Sequence, residues 1–136
     1  MYTYAFEKLT VWQDTRGLVK QIYTITRQFP EDEKFGLVSQ IRRAIISVSS
    51  NIAEGTSRNT KRDHVYFYNI AYSSLMEVLS QVLLSCELEF ISNERYEVLR
   101  ASVEQVSVKL NALRNAAMKP LNLSTPQFHN LLITLQ

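Results

Sequence analysis

Apolar residues recur every three or four positions along four segments of the chain, which is the spacing that one buried face of an α-helix produces. The segments cover about residues 6–28, 30–55, 60–90 and 92–119. Short clusters of helix-breaking residues separate them, and no alternation of period two is sustained anywhere. Because short connections force consecutive helices to run in opposite directions, the pattern predicts an all-α fold, an antiparallel up-down-up-down four-helix bundle.

Local signals mark the ends of these helices. Pro30 suits the first turn of the second helix, and three acidic residues follow it, where they favour the positive end of the helix dipole. Gly55 follows the last apolar residue of this segment, and because glycine is common at helix C-termini we predict that it caps the helix. Either Thr60 or the asparagine before it can cap the third helix, and either Ser92 or the asparagine after it can cap the fourth.

The length and composition are those of one globular domain: 136 residues, 46% hydrophobic and 21% charged. We expect the bundle to occupy residues 1–119, and residues 120–136 to form a C-terminal tail that is a candidate for docking on the bundle or on a neighbouring subunit. The N-terminus lacks the pattern of a signal peptide, and no apolar run approaches the ~20 residues that cross a bilayer. These features predict a soluble, cytoplasmic protein without a membrane partner.

Catalytic and metal-binding patterns are missing from the sequence. Neither His64 nor His129 is spaced to share a metal with a carboxylate, and the Glu-x-x-His signature of di-iron bundles is absent. The serines of the second helix have no nearby histidine as a base, and Cys86 falls on an apolar stripe that predicts a buried, inert thiol. Tyr68 and Tyr72 are interpreted as core aromatics whose hydroxyls reach the edge of the bundle. We therefore expect neither an enzyme nor a cofactor site.

The second helix is unusually polar for a core element. Its stretch LVSQIRRAIISVSSNIAEGTSR, residues 37–58, places hydrogen-bonding side chains on a face that is rich in serine and asparagine rather than in lysine and glutamate. Small side chains let two backbones approach closely, and such groups can satisfy one another in a partly buried network. The predicted network or interface comprises Arg42, Arg43, Ser47, Asn51, Glu54 and Glu77.

A matching patch on the third helix supplies partners for this network. The patch is made of Tyr72, Ser73, Ser74 and Glu77. Since Arg43 and Glu54 lie ~16 Å apart along the helix axis, they cannot pair with each other, and Glu77 is the candidate partner for one arginine. The alternative, a face that is simply solvated, stays open.

A second apolar stripe on the third helix bears on assembly. It lies beyond the positions already assigned to the core and would be largely exposed in a monomer: Phe67, Ile70, Ala71, Val78 and Leu88. Contiguous apolar patches above a few hundred Å² usually mark interfaces. The stripe predicts a homo-oligomer.

Several segments resemble one known family. LTVWQD, FPEDEKFGLVSQIRRAIISVSSNIAEG and SLMEVLSQVLLSCELEFI are similar to the four-helix-bundle proteins named for the intervening sequences of bacterial 23S ribosomal RNA genes, and the resemblance covers about residues 6–118. It implies a homopentameric ring with no enzymatic activity. It also implies an architecture similar to the accessory protein of diversity-generating retroelements, which binds a reverse transcriptase and nucleic acid.

The charges are distributed unevenly along the predicted bundle. One end collects five basic residues, whereas acidic residues outweigh basic ones at the opposite end; the basic residues are Arg58, Lys61, Arg62, Arg114 and Lys119. In a ring of parallel subunits all basic ends would share one face. Sequence and resemblance together predict a non-enzymatic scaffold that binds RNA or DNA there, as accessory to a reverse transcriptase or another nucleic-acid enzyme. The alternative is a protein-binding or structural module without nucleic-acid affinity.

Overall fold

A computed structural model describes residues 1–119 as four helices and two short 3-10 turns, with no strand in that part of the chain. The helices are α1 (Thr10–Thr26), α2 (Leu37–Ser57), α3 (Lys61–Glu87) and α4 (Asn93–Met118). The prediction of an all-α bundle is confirmed. The predicted C-terminal tail lies outside the described residues.

The first helix begins later than the apolar pattern predicts. Residues Ala5–Lys8 form a 3-10 turn, in which the Glu7 carboxylate accepts the Tyr4 N–H at 2.7 Å. Leu9 then has extended backbone angles, φ −74° and ψ 126°, so α1 starts only at Thr10. The apolar pattern continues through the 3-10 turn because the turn packs against α2.

Pro30 does not begin the second helix, contrary to the prediction. The acidic residues after it form the 3-10 turn Glu31–Glu33, and Gly36, at φ −104° and ψ −111°, separates this turn from α2. The Glu33 carboxylate accepts the Leu37 N–H at 3.1 Å and so satisfies one of the unpaired amides at the start of α2.

Gly55 does not end the second helix either, since α2 continues to Ser57. The glycine is buried against α3, where an added Cβ would lie 2.8 Å from Cε1 of Tyr68 and 3.0 Å from Cβ of Phe67. It is therefore a close-approach position. The predicted N-terminal caps of α3 and α4 are confirmed as Thr60 and Ser92: Thr60 accepts the Asp63 N–H at 3.1 Å, and Ser92 accepts the Arg95 N–H at 3.2 Å.

All four helices contribute to one core, whose fully buried side chains include Ile22, Ile45, Leu75 and Leu110. Contacts between α2 and α3 have a reversed order: Ser47 touches Ser74, whereas the later Thr56 touches the earlier Tyr68. The same reversal holds for α1 and α4: Asp14 of α1 binds Lys109, and Gln28, two residues after the end of α1, binds Arg95. Each of these contacts is the kind that antiparallel neighbours make.

The second apolar stripe of α3 is only partly exposed, so that prediction is wrong for two of its five members. Ala71 and Val78 are fully buried, and Phe67 and Ile70 are half-buried, because α3 packs against both α2 and α4. Only Leu88 is mostly exposed, at 55%. Other exposed apolar side chains on α3 and α4 are Leu84, Val98 and Val108. No helix within residues 1–119 is long and apolar enough to span a membrane.

Candidate nucleic-acid interface

Three of the five predicted basic residues meet at the connection between α2 and α3. Arg58 directly follows α2, and Lys61 and Arg62 are the first two residues of α3; all three are exposed. Arg58 donates to the Glu54 carboxylate at 2.9 Å, an exposed pair one helical turn apart. Within residues 1–119, Lys61 and Arg62 form no ion pair. We call Arg58, Lys61 and Arg62 the basic turn.

The basic turn surrounds the positive end of a helix dipole. Cations there are disfavoured by about 0.3–1 kcal/mol each, whereas an anion is favoured. Asp63 is the one acidic residue in the first turn of α3. Lys61 and Arg62 thus stand where helix stability alone would select acidic residues. Their position favours an anionic ligand that accepts from both the side chains and the first amides of the helix.

The other two predicted basic residues lie at the end of α4 and differ from each other. The Arg114 guanidinium lies 3.9 Å from the ring centroid of Tyr72 and donates to Oδ1 of Asn111 at 2.7 Å. Its contact with Tyr72 places it about 15 Å along α3 from the basic turn. Arg114 is therefore held against the bundle and apart from the other cations, whereas Lys119, just beyond α4, is exposed.

Part of the predicted polar network connects α2 to α3. The Asn51 amide donates to the Ser47 carbonyl at 2.8 Å and to the Ser47 hydroxyl at 3.1 Å. That hydroxyl lies 2.9 Å from the hydroxyl of Ser74, which is buried. These three side chains form a small network inside the chain.

The predicted ion pair between an arginine and Glu77 is absent from the described residues. Arg42 points to α1 instead, where Nε donates to the Thr26 hydroxyl at 2.9 Å and a terminal nitrogen donates to the Tyr23 carbonyl at 3.3 Å. Its guanidinium also lies 4.6 Å from the centroid of the Tyr23 ring. Arg43, one residue further around the helix, is exposed, and within residues 1–119 Glu77 accepts a hydrogen bond only from Gln81 of its own helix.

Two aromatic rings accompany the basic turn, and sequence reasoning missed both. The Arg58 guanidinium lies 4.7 Å from the centroid of the Phe67 ring, and the Tyr66 ring meets the Phe67 ring edge to face at 5.0 Å. Tyr66 is 60% exposed. Its spacing of four residues from Arg62 places both on one face of α3, and this spacing is the signal that could have revealed it.

The reactive side chains of the bundle have structural partners. Nδ1 of His64 lies 2.6 Å from the Gly55 carbonyl, and its ring stacks on Tyr68. The Cys86 thiol donates to Oδ1 of Asn93 at 3.3 Å and is half-buried, so the expectation of a buried thiol is only partly met. Residues 1–119 contain no group of three His, Cys, Asp or Glu side chains that could hold a metal ion.

A separate groove lies between α1 and α4. Its lining combines apolar side chains, among them Ile25, Val98 and Leu99, with charged ones such as Lys20 and Glu94. It contains none of the predicted site residues, so it lies apart from the basic turn.

Residues 7–112 match the family described as 23S rRNA-intervening sequence protein. The fold is similar to the crystal structure of a protein of unknown function from the S23 ribosomal protein family of Bacteroides thetaiotaomicron, with a TM-score of 0.72 and 21% sequence identity over 78% of this chain and 96% of that one. At that identity the likeness concerns the fold alone. No curated protein matches the sequence.

Proposed function

Because the chain belongs to the 23S rRNA-intervening sequence protein family, we propose that it is a non-enzymatic, homo-oligomeric scaffold that binds nucleic acid through its basic turn. The observation that carries this proposal is the exposure of Lys61 and Arg62 at the positive end of α3 without an ion-pair partner within residues 1–119. Phosphate oxygens accept hydrogen bonds from such side chains and from the amides of a helix start. A polyanion would offset the unfavourable charge arrangement of the free protein.

Assembly strengthens the proposed interface. The whole chain has a formal net charge of only +2, which gives a single subunit a weak field. Copies that present their basic turns on one face would combine their potentials and raise the local concentration of a polyanion. Leu84 and Leu88 lie one turn apart near the end of α3 and are both exposed, and this apolar pair supports self-association. The family resemblance favours five copies.

The proposed assembly is tested by its mass in solution. Light scattering on the purified protein at micromolar concentration should give about five times the chain mass of 15.7 kDa. A particle of 15.7 kDa would contradict oligomerisation, and a stable assembly of another size would contradict only the number of copies.

In this proposal the chain serves as accessory to a reverse transcriptase or another nucleic-acid enzyme and carries out no reaction itself. The buried Thr56 and Ser85 hydroxyls donate to backbone carbonyls of their own helices, and the Cys86 thiol donates to Asn93. This arrangement supports a binding role.

Nucleic-acid binding is tested by fluorescence anisotropy with a labelled RNA and a labelled DNA at several salt concentrations. Counterion release should make the logarithm of affinity fall linearly with the logarithm of salt concentration. Reversing the basic turn with Arg58→Glu, Lys61→Glu and Arg62→Glu should weaken binding to all sequences alike. The same variant should reduce the salt slope by roughly one for each phosphate group that it no longer binds.

A matched control separates the basic turn from total charge. Lys20, Arg27 and Lys34 lie away from the basic turn on the surface of the bundle, and reversing them to glutamate changes the net charge by the same amount. The control variant should retain most of the affinity. If neither probe binds at low salt, or if the two triple variants bind equally well, the proposal fails in favour of a protein-binding module.

A further inference from the structure

We propose that the ligand of the basic turn is single-stranded nucleic acid, and that the exposed Tyr66 ring is the platform on which one of its bases stacks. This inference rests on the proposed function, because it assigns the form of nucleic acid that the same surface takes. It is carried by the order of side chains along one face of α3.

Four residues of different chemistry form a row that begins in the basic turn. Their positions are i, i+4, i+7 and i+11, which lie on one face of a helix: Arg62, Tyr66, Asn69 and Ser73. The row spans about 16 Å and starts with a cation, continues with an aromatic ring and ends with an amide and a hydroxyl. Glu77, one turn after Ser73, is acidic, and its carboxylate would repel the phosphates of a nucleic acid that extended further along the helix.

The Tyr66 ring contacts the Phe67 ring on one side, and most of its remaining surface is exposed to solvent. It meets Phe67 edge to face, with ring planes at 86°, and the Arg58 guanidinium lies over the Phe67 ring at 4.7 Å from its centroid. Phe67 in turn packs where Gly55 allows α2 to approach. The aromatic pair is therefore anchored to the bundle, which reduces the entropy that a stacked base must overcome.

Surface depressions flank Tyr66 in both directions along α3. One is lined by Arg62, Asp63 and Val65 together with the tyrosine. The other extends over the next three turns, and its lining includes the tyrosine, Asn69, Ser73 and the acidic Glu77. A base placed on the ring would thus have a cation within about one turn on one side and hydrogen-bonding groups on the other.

This arrangement fits a single strand better than a duplex. Bases of a duplex are stacked on one another, so their faces are closed to an aromatic side chain, whereas bases of a single strand can be splayed out and stacked on protein rings. Exposed aromatic residues occur singly on many surfaces without a role. Tyr66 differs because it stands between a phosphate-binding cation and a hydrogen-bonding amide on the same helix face.

The test compares three labelled probes of equal length: a single-stranded oligothymidylate, the same backbone with abasic sites in place of bases, and a duplex. Anisotropy titrations are made with the whole 136-residue chain and with two variants of Tyr66. The wild type should bind the oligothymidylate more tightly than the abasic strand. Tyr66→Ala should weaken oligothymidylate binding by about five-fold or more, since base stacking on an aromatic residue contributes that much, and should leave abasic binding unchanged.

Two further variants make the result specific. Tyr66→Phe keeps the ring and should retain the oligothymidylate affinity. Phe35→Ala removes another exposed aromatic residue that also lies beside a cation, Lys34, outside the basic turn, and should bind like the wild type. Because Tyr66 is exposed, circular dichroism should show Tyr66→Ala to be as folded as the wild type.

The outcomes separate this inference from the function on which it rests. If Tyr66→Ala binds the oligothymidylate as tightly as the wild type while reversal of the basic turn abolishes binding, stacking is wrong and the proposed function stands. If the duplex binds more tightly than the single strand in the wild type, the assignment to single strands is overturned. If none of the three probes binds at low salt, the proposed function itself fails.

Discussion

The hydroxyl groups of Tyr68 and Thr56 lie 2.9 Å apart inside the α2–α3 contact, and both side chains are buried. The Thr56 hydroxyl also donates its hydrogen to the Ile52 carbonyl at 2.7 Å, so Tyr68 is the donor between the two hydroxyls. Burial raises the pKa of the Tyr68 hydroxyl above its ordinary value. A residue expected to reach the edge of the bundle instead carries a buried hydrogen bond.

Removing this hydroxyl should lower stability and change its pH dependence. Tyr68→Phe loses one buried hydrogen bond and should reduce the free energy of unfolding by about 0.5–1.5 kcal/mol. Because the pKa of Tyr68 is higher in the folded than in the unfolded state, the folded state favours the neutral form of the hydroxyl. Its stabilisation is therefore complete below about pH 10 and is lost as pH rises through the folded-state pKa.

Urea unfolding of the wild type and of Tyr68→Phe between neutral and strongly alkaline pH measures both effects. The difference in unfolding free energy between the two proteins should shrink above about pH 10, because only the wild type loses the contribution of Tyr68 there. A difference that stays constant to the highest pH would contradict the assigned direction of the pKa shift.

The two glycines inside helices should respond oppositely to alanine. At Gly55 a new Cβ would lie 2.8 Å from the Tyr68 ring, so Gly55→Ala should destabilise the protein by about 1–3 kcal/mol through overpacking. At Gly17 nothing lies within 4 Å of the new Cβ, so Gly17→Ala is the matched control and should stabilise α1 by about 0.5–1 kcal/mol. Denaturation midpoints that shift in the same direction would refute the close-approach role of Gly55.

The two adjacent arginines of α2 should also differ. Arg42 bonds to Thr26 and Tyr23 of α1, so Arg42→Ala should cost about 1–3 kcal/mol. This is less than the cost of unpairing a buried carboxylate, because no carboxylate is its partner in the described residues. Arg43 is exposed, and Arg43→Ala should change stability by no more than about 0.5 kcal/mol. Equal effects in urea unfolding would show that the α1 contacts contribute nothing.

The hydroxyl contact between Ser47 and Ser74 is suited to a double-mutant cycle. If the two groups interact as their 2.9 Å separation indicates, the single alanine variants and the double variant should give a coupling energy of about 0.5–1.5 kcal/mol. Full additivity of the two single changes in unfolding free energy would mean that water replaces the contact at no cost.

Sequence patterns were sufficient for the number of helices and for two of their caps, because apolar periodicity and capping side chains are local properties. They were not sufficient where a residue type has more than one use. The acidic residues after Pro30 suit a 3-10 turn as well as a helix start, and the chain uses the turn. Glycine is common at helix ends, which is why Gly55 was predicted as a cap. The structure instead requires a glycine there because the Tyr68 ring packs against it, and a contact with another helix cannot be predicted from the local sequence pattern.

The candidate site was predictable to a similar extent. The basic turn follows from the position of the α2–α3 connection, whose two ends the sequence pattern places to within two residues. The partner of Arg42 could not be predicted from the sequence. Adjacent residues of a helix point in directions 100° apart, so a shift of one position decides whether a side chain faces α1, as Arg42 does, or solvent. The buried face of α3 is also wider than the apolar pattern indicates, since the polar residues Ser74, Gln81 and Ser85 belong to it.

The three-residue connection between α2 and α3 has a consequence for the order of folding. Contacts across this pair join residues as few as 9 positions apart, whereas the Asp14–Lys109 contact between α1 and α4 spans 95 positions. The entropy lost on closing a loop grows with its length, so the central hairpin should form in the transition state and the terminal helices should dock afterwards. Conservative truncations in the α2–α3 core, such as Ile52→Val, should then slow refolding, whereas truncations in α1, such as Ile22→Val, should mainly accelerate unfolding. Refolding kinetics with the opposite pattern would place the folding nucleus outside the α2–α3 pair. With the expected pattern, the two central helices of the sequence form the nucleus on which the first and last helices assemble.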